Sequence, residues 1–235
     1  MSICSLAKRG SFALIILNNV MPIISNGVID RLWDNCRVRV CSDGGANRLF
    51  DYNQELIPNY VIGDFDSAKQ HTLEYYLSKQ SAVIQNTDTE TADVEKCIEH
   101  IKINVPAVKK CFVYGFSGGV LDKELNCYHL MAKWSKEMPL VLVDEWVWAT
   151  LLPAGESEVE IDTQFDGPRC GLIPLFCEVD VAATEGLEWN LKGKKLKMGE
   201  FISTSNRFAF EGTGKVKVSS NNCLLFTCQI KRRRL

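Results

Sequence analysis

An α/β N-terminal domain with a mostly parallel sheet, followed by an antiparallel β-sandwich C-terminal domain, is the fold class the sequence predicts. Three observations lead there. From Phe12 to about Thr150, short runs of β-branched and aromatic residues alternate with longer amphipathic stretches, the rhythm of strands joined by crossover helices. After Leu152-Pro153-Ala154-Gly155 the apolar runs shorten, several alternate with polar residues, and Gly, Pro, Asp and Asn turns separate them, as in half-exposed antiparallel strands. The chain has 235 residues, 46% hydrophobic and 24% charged, enough to bury a substantial core in one large or two small domains. The boundary is expected near residue 153, giving domains 1–153 and 154–235, with no internal repeat.

The first half is expected to hold strands at Phe12–Leu17, Val38–Ser42, Tyr60–Gly63, Ala82–Ile84, Cys111–Tyr114 and Leu140–Val143, continuous apolar runs of the kind buried on both faces. The clearest helix runs from Asp93 to Lys102, where Val94, Cys97, Ile98 and Ile101 fall at i, i+3, i+4 and i+7. A second is expected from about Glu124 to Lys136, carrying Leu125, Tyr128, Met131 and Trp134. In the second half, Val159–Ile161, Gly171–Leu175, Leu191–Leu196, Phe201–Thr204, Lys215–Val218 and Leu224–Ile230 read as short strands.

The net charge is −2, and four basic residues sit in the final Lys231–Arg234. The remaining body, about −6 by the same count, repels a phosphate backbone and argues against a nucleic-acid surface; the tail reads as a solvated chain end. No stretch approaches the ~20 apolar residues that cross a bilayer, and Phe12–Leu17 is too short for a signal peptide. A cytoplasmic protein without membrane partners is expected. Ten cysteines are scattered from Cys4 to Cys228 without a C-x-x-C pair, so they read as buried free thiols. The absence of an N-x-[ST] sequon agrees.

Acidic residues follow the first-half strands. Val38–Ser42 runs into Asp43-Gly44-Gly45-Ala46-Asn47, Tyr60–Ile62 into Gly63-Asp64-Phe65-Asp66-Ser67, Ala82–Ile84 into a Thr- and Asp-rich run ending at Asp93, and Cys111–Tyr114 into Gly115-Phe116-Ser117-Gly118-Gly119-Val120-Leu121-Asp122. Carboxyl ends of parallel strands share one edge, where ligands bind. Gathering Asp43, Asp64, Asp66 and Asp93 there is costly without a counter-charge, because like charges raise one another's pKa. A divalent cation removes that cost, and hard oxygen ligands favour Mg²⁺ beside substrate phosphates. An extended backbone at Asp64-Phe65-Asp66 points both acids the same way, within reach of one metal. Gly44, Gly45, Gly118 and Gly119 allow close backbone approach to a polyanion. No G-x-x-x-x-G-K-[ST] is present and no G-x-G-x-x-G follows the first strand, which demotes P-loop and nicotinamide chemistry.

Each feature also has a plainer account. Asp-Gly-Gly after a strand is commonly a turn, Asp93 can cap the helix it opens, and Asp64-x-Asp66 alone suits a loop as well as a metal. Recurrence after successive strands favours a shared site. His71, His100 and His129 read as structural or surface residues, with no nucleophile arrangement beside them. Trp146 and Trp148, at strand spacing, read as core or interface.

Six ordered motifs then resemble eukaryotic thiamin pyrophosphokinase: Cys41–Leu49, Gly63–Ser67, the run ending Asp93-Val94-Glu95-Lys96-Cys97, Cys170–Pro174, Thr184–Leu191 and Ser203–Asn206. The resemblance covers nearly the whole chain. It implies transfer of the pyrophosphoryl group of ATP to the hydroxyl of thiamin, giving thiamin diphosphate and AMP with Mg²⁺, by a homodimer with active sites between subunits. It implies a catalytic ATP/Mg-binding first domain and a thiamin-binding second one. Asp64, Asp66 and Asp93 match the family's metal-binding acids, and Asp43 stands beside the nucleotide phosphates with Gly44, Gly45, Asn47, Gly118, Gly119 and Lys123. Asp122 matches an acid near thiamin, Trp189 the aromatic over its pyrimidine ring, and Ser203, Ser205 and Asn206 the polar positions close to it. The chemistry suits such residues: pyrophosphoryl transfer needs charge neutralisation and in-line placement, and a flat cationic acceptor suits an acidic site with an aromatic face. As a general base Asp122 would have a minor role in a loose transition state.

The chain departs from the family where Val120 and Lys123 replace an Arg and a Gln around the glycine-loop acid, and where Thr89-Glu90 replaces a Gln-Asp pair. Lys123 can supply the missing positive charge from a new position. Two other functions remain open at this point: a non-catalytic thiamin- or nucleotide-binding protein, and a phosphotransferase acting on another alcohol.

Overall fold

The structure, a computed structural model, describes residues 10–21 and 26–231; Cys4 and the Arg232–Arg234 part of the basic tail lie outside the described residues. The chain divides into two compact units, the first ending at Glu145 and the second beginning at Trp146.

Strands β1 (Ala13–Ile16), β2 (Val38–Ser42), β3 (Tyr60–Gly63), β4 (Ala82–Gln85), β5 (Cys111–Tyr114) and β6 (Leu140–Val143) form the first unit's sheet in the order β6-β5-β1-β2-β3-β4. Every pairing in it is parallel. The expected strands are all present, four with the expected ends; β1, β5 and β6, continuous apolar runs covered on both faces, are buried throughout, whereas β4 at the sheet edge is exposed or half-buried. Helices α1 (Val28–Asn35), α2 (Gly45–Tyr52), α3 (Gln70–Ser78), α4 (Asp93–Asn104) and α5 (Leu121–Lys133) supply the crossovers. Helix α4 buries the four residues of its expected stripe, Val94, Cys97, Ile98 and Ile101. Helix α5 starts earlier than expected, and Leu125 is exposed while Cys127, Leu130 and Met131 face inward. The true stripe is Cys127, Leu130, Met131 and Trp134, again i, i+3, i+4 and i+7, with a thiol as its first apolar member.

The second unit contains two antiparallel sheets. The first has the order β12-β9-β14-β7, from β7 (Val147–Leu152), β9 (Asp166–Ile173), β12 (Ser203–Arg207) and β14 (Leu224–Ile230); the second has the order β11-β10-β13-β8, from β8 (Gly155–Asp162), β10 (Val179–Glu185), β11 (Lys192–Leu196) and β13 (Thr213–Ser220). Val147–Leu152 pairs antiparallel with β14. This pairing puts the change of unit at Glu145/Trp146 rather than near 153. Trp148 is fully buried and its Nε1–H donates to the buried carboxylate of Asp166 at 3.0 Å, whereas Trp146 is about half exposed.

All nine described cysteines are free thiols and seven are buried. Among the described residues no helix is long and apolar enough to cross a membrane.

Candidate active site

In the first unit, β1 lies between β2 and β5. The chain winds outward through β2, β3 and β4, then returns to the other side of β1 for β5 and β6. That reversal opens a crevice at the carboxyl ends of β1 and β5, where an open parallel sheet binds ligands. A cavity of about 510 Å³ lies there. Its walls come from Leu17–Asn19 after β1, Ser42 and Asp43 at the end of β2, Asp66 and Ser67 after β3, Ala92–Val94 at the start of α4, and Gly115, Phe116, Gly119, Val120 and Lys123 after β5.

The acids converge there. One carboxylate oxygen from each of Asp43, Asp64 and Asp93 lies within 4.8 Å of the others, and among the described residues no His or Cys joins them. Asp43 is buried and held by its neighbours: the Ser67 N–H donates to Oδ2 and the Ala68 N–H to Oδ1, each at 3.2 Å. Burial raises its pKa, the Gly44 N–H opposes that, and the charges of Asp93 and Asp66 add to it. Close packing brings Asp43 there, since a Cβ built on Gly63 would fall 2.6 Å from the Asp43 Cβ.

Asp66 lines the cavity but stands outside the three-way cluster. Its Oδ1 accepts the Ser67 hydroxyl at 2.7 Å, and its N–H donates to Asp64 Oδ1 at 3.1 Å. The expected extended backbone is absent: Phe65 has φ +67°, so Asp64 and Asp66 belong to a turn rather than to one strand face. Asp43 is also left-handed, at φ +44°. Both are non-glycine residues in a conformation that costs on the order of 1 kcal/mol or more, which surrounding structure must enforce.

Asp93 does not cap α4. The N-cap is Ala92, with no side-chain cap bond. Lys96 Nζ donates instead to Asp93 Oδ1 at 2.9 Å and to the Asn86 carbonyl at 3.2 Å, with the lysine side chain only 1% exposed. Burial works to lower the Lys96 pKa, but the hydrogen bond and charge of Asp93, with Asp64 and Asp88, outweigh it and leave the ammonium above its ordinary value. Lys96 is thus an internal counter-ion to the acids.

The other expected residues take distinct places. Gly119, Val120 and Lys123 line the cavity. Asp122 is exposed on the first turn of α5 and is not among the lining residues. The Gly44 N–H turns onto Asp43. Gly45 seats α2 against β1, where a Cβ would fall 2.3 Å from the Ile16 carbonyl oxygen. Asn47 is a brace: Nδ2 donates to the Ser67 carbonyl and Oδ1 accepts the Lys69 N–H, both at 2.9 Å.

Sequence reasoning passed over Asn18, Asn19 and Arg48. Asn19 Nδ2 donates to the Gly115 carbonyl at 3.1 Å and also to the Ser117 carbonyl, tying the end of β1 to the glycine loop after β5. Arg48 lines the cavity, its Nε–H donating to Asn18 Oδ1 at 2.8 Å. The available signal was position, because Asn18-Asn19 follows β1 as the acids follow the other strands.

Within the second unit, Trp189, Ser203 and Asn206 come together. Asn206 is buried; its Oδ1 accepts the Trp189 N–H at 3.3 Å and its Nδ2 donates to the Trp189 carbonyl at 2.9 Å and to Ser203 Oγ at 3.4 Å. One amide therefore fixes both backbone groups of a tryptophan that is 54% exposed. Ser205, left-handed at φ +57°, lines a separate cavity of about 290 Å³ with Trp146, Arg169 and Thr227.

A parallel-sheet unit with an acid-lined switch-point cavity, followed by an antiparallel unit presenting a fixed aromatic, defines a class of two-part enzymes with an acidic site at the strand ends. Residues 29–142 match the family model described as "Thiamin pyrophosphokinase, catalytic domain", and residues 156–224 match "Thiamin pyrophosphokinase, vitamin B1 binding domain". The chain belongs to the thiamin pyrophosphokinase family. It is 32% identical to thiamine pyrophosphokinase 1 of Oryza sativa subsp. japonica, across 94% of this chain and 88% of that one. With thiamine pyrophosphokinase 1 of Arabidopsis thaliana the identity is 29%, across 97% and 90%. The fold matches the crystal structure of yeast thiamin pyrophosphokinase with a TM-score of 0.86 at 22% identity, covering 98% of this chain and 90% of that one.

Proposed function

We propose that this chain transfers the pyrophosphoryl group of ATP to the hydroxyl of thiamin, releasing AMP, with Mg²⁺ held at the first unit's acids. The convergence of Asp43, Asp64 and Asp93 carries this reading. Three oxygen donors without nitrogen or sulfur suit a hard dication, and a buried Asp43 crowded by Asp93 and Asp66 is an anionic site that a cation relieves.

In this reading Asp64, Asp93 and Asp43 hold the ion, and Asp66 extends the acid wall towards the phosphates. Bound Mg²⁺ supplies charge neutralisation on the phosphate oxygens. Arg48 and Lys123 line the same cavity and attract the triphosphate directly. Gly119 brings the backbone close to it, and Asn19 keeps that loop against the β1 end. Trp189 stacks on the flat thiamin rings, and Asn206 and Ser203 set its position. Asp122, exposed on α5, is available to the acceptor and has no large part in proton transfer. A homodimer with active sites shared between protomers belongs to the same proposal, supported by the exposure of Trp189 and Phe201.

The test is product identity. Incubation with ATP, Mg²⁺ and thiamin should give AMP and thiamin diphosphate in equal amounts, and chelation of the metal should stop both. Formation of ADP, or ATP consumption that does not require thiamin, would overturn the proposal. Binding of thiamin without turnover would point instead to a non-catalytic binder.

A further inference from the structure

The loop between β9 and β10 runs beside the turn between β13 and β14. Val181 of β10 pairs with Ser220 of β13. One step outward, the Asn221 N–H donates to the Asp180 carbonyl at 3.1 Å and the Asp180 N–H to Asn221 Oδ1 at 2.8 Å. Beyond it, the Asn222 side chain holds the two segments together, its Nδ2 donating to the Glu178 carbonyl at 3.1 Å. Cys177 precedes Glu178 and Cys223 follows Asn222, so the two cysteines flank this last contact.

The two side chains meet. Burial raises the Cys223 pKa, and the neighbouring Cys177 sulfur, in hydrogen-bond contact with it, raises it further. The two also stand apart from the other described cysteines: Cys177 is exposed and Cys223 half-buried, whereas the remaining seven are buried. A reagent in solution therefore meets Cys177 first and finds Cys223 directly behind it.

We infer that Cys177 and Cys223 are a covalent modification site, closing to a reversible intramolecular disulfide when the chain meets a low-molecular-weight disulfide such as oxidised glutathione. The Cys177 thiolate attacks one sulfur of the reagent, forming a mixed disulfide and expelling one glutathione thiolate. Cys223 then loses its proton to solvent, attacks the Cys177 sulfur and expels the second glutathione thiolate. The protein gives up two protons and two electrons, and the reagent is reduced to two thiols. The closed loop takes in β10 to β13, so the bond removes freedom from the unfolded chain. The inference stands independently of the pyrophosphoryl-transfer reading, since neither cysteine has a part in it.

Full-length protein is equilibrated with oxidised glutathione, its remaining thiols are alkylated, and its peptides are mapped by mass. The expected product is a linked Cys177–Cys223 peptide pair, two hydrogens lighter than the separate peptides and lost on dithiothreitol treatment. The thermal midpoint should rise by several degrees and return on reduction. Recovery of the two cysteines unmodified, as separate glutathione adducts or linked to other cysteines would overturn the inference. In Cys223→Ser, Cys177 should retain glutathione as a stable adduct and the midpoint should not rise. If that variant still gains the stabilisation, the bond lies elsewhere.

Discussion

The two units use the same charged residues in opposite ways. In the second unit, acid and base are paired at the surface: Lys215 with Glu158 at 2.6 Å, Lys217 with Glu185 at 2.8 Å, and Lys197 with Glu178 at 3.1 Å and Glu200 at 2.7 Å. In the first unit, Asp43, Asp64, Asp66 and Asp93 gather at one strand edge with Lys96 as a buried counter-ion. Charges that neutralise one another keep a β surface soluble and unreactive. Charges left in excess of their own sign store an electrostatic demand, and a cation with its polyanion can meet it. Arrangement, more than composition, separates the acid-lined first unit from the ion-paired second.

Breaking the acid cluster should have the largest effect. Asp64→Asn or Asp93→Asn is expected to lower kcat at least about a hundredfold, since several kcal/mol of metal-assisted stabilisation depend on it. The thermal midpoint of Asp64→Asn should hold or rise as one of the crowded charges disappears, whereas that of Asp93→Asn should fall, because the buried Lys96 loses its partner. Steady-state rates with a melting curve check both, and a rate within threefold of the parent would remove the cluster from the mechanism.

Next in size is the internal counter-ion. Lys96→Met should cost about 2 kcal/mol of folding stability, the value of a charge-assisted hydrogen bond in a buried setting. The pH dependence has a definite sign. The folded pKa of Lys96 stands above the ordinary 10.5, so the ion pair's contribution is complete below that value and is lost as pH rises through the folded one. Urea unfolding of parent and variant should show a constant gap at neutral pH that closes only in strong alkali. A gap that closes on acidification instead would assign the effect to another group.

A smaller effect is expected in the second unit. Trp189→Ala should raise the KM for thiamin about tenfold with kcat within a factor of three, the loss of one stacking and cation–π contact. Asn206→Ala should act in the same direction and broaden the Trp189 emission band. A fall in kcat at constant KM would place Trp189 in the chemical step. Smallest of all, Lys215→Ala and Lys217→Ala should leave the thermal midpoint without a resolvable shift, because exposed pairs contribute little.

The sheet of the first unit was legible because strands buried on both faces leave uninterrupted apolar runs, as in Leu140–Val143. Val179–Glu185 passed unnoticed because only Val179, Val181 and Thr184 of its seven residues face inward. The register of α5 slipped because Cys127 reads as chemistry in a sequence and as a small apolar residue in a core. At the site, convergence of the acids followed from strand order alone, but membership did not. The exchange of Asp66 for Asp43 in the tightest cluster depends on a left-handed Phe65, and no residue type announces that conformation. The Asn206–Trp189 clamp joins positions 17 apart in the chain, a separation that no local periodicity reports.

Gly63 has no reactive group, yet the space where its side chain would stand is already taken by Asp43. A variant library should therefore tolerate almost nothing at position 63, even in positions facing no ligand, and revertants of Gly63→Ala should arise by shortening residue 43 at the expense of turnover. The two sites would be inherited as a unit, one supplying the acid and the other its vacancy.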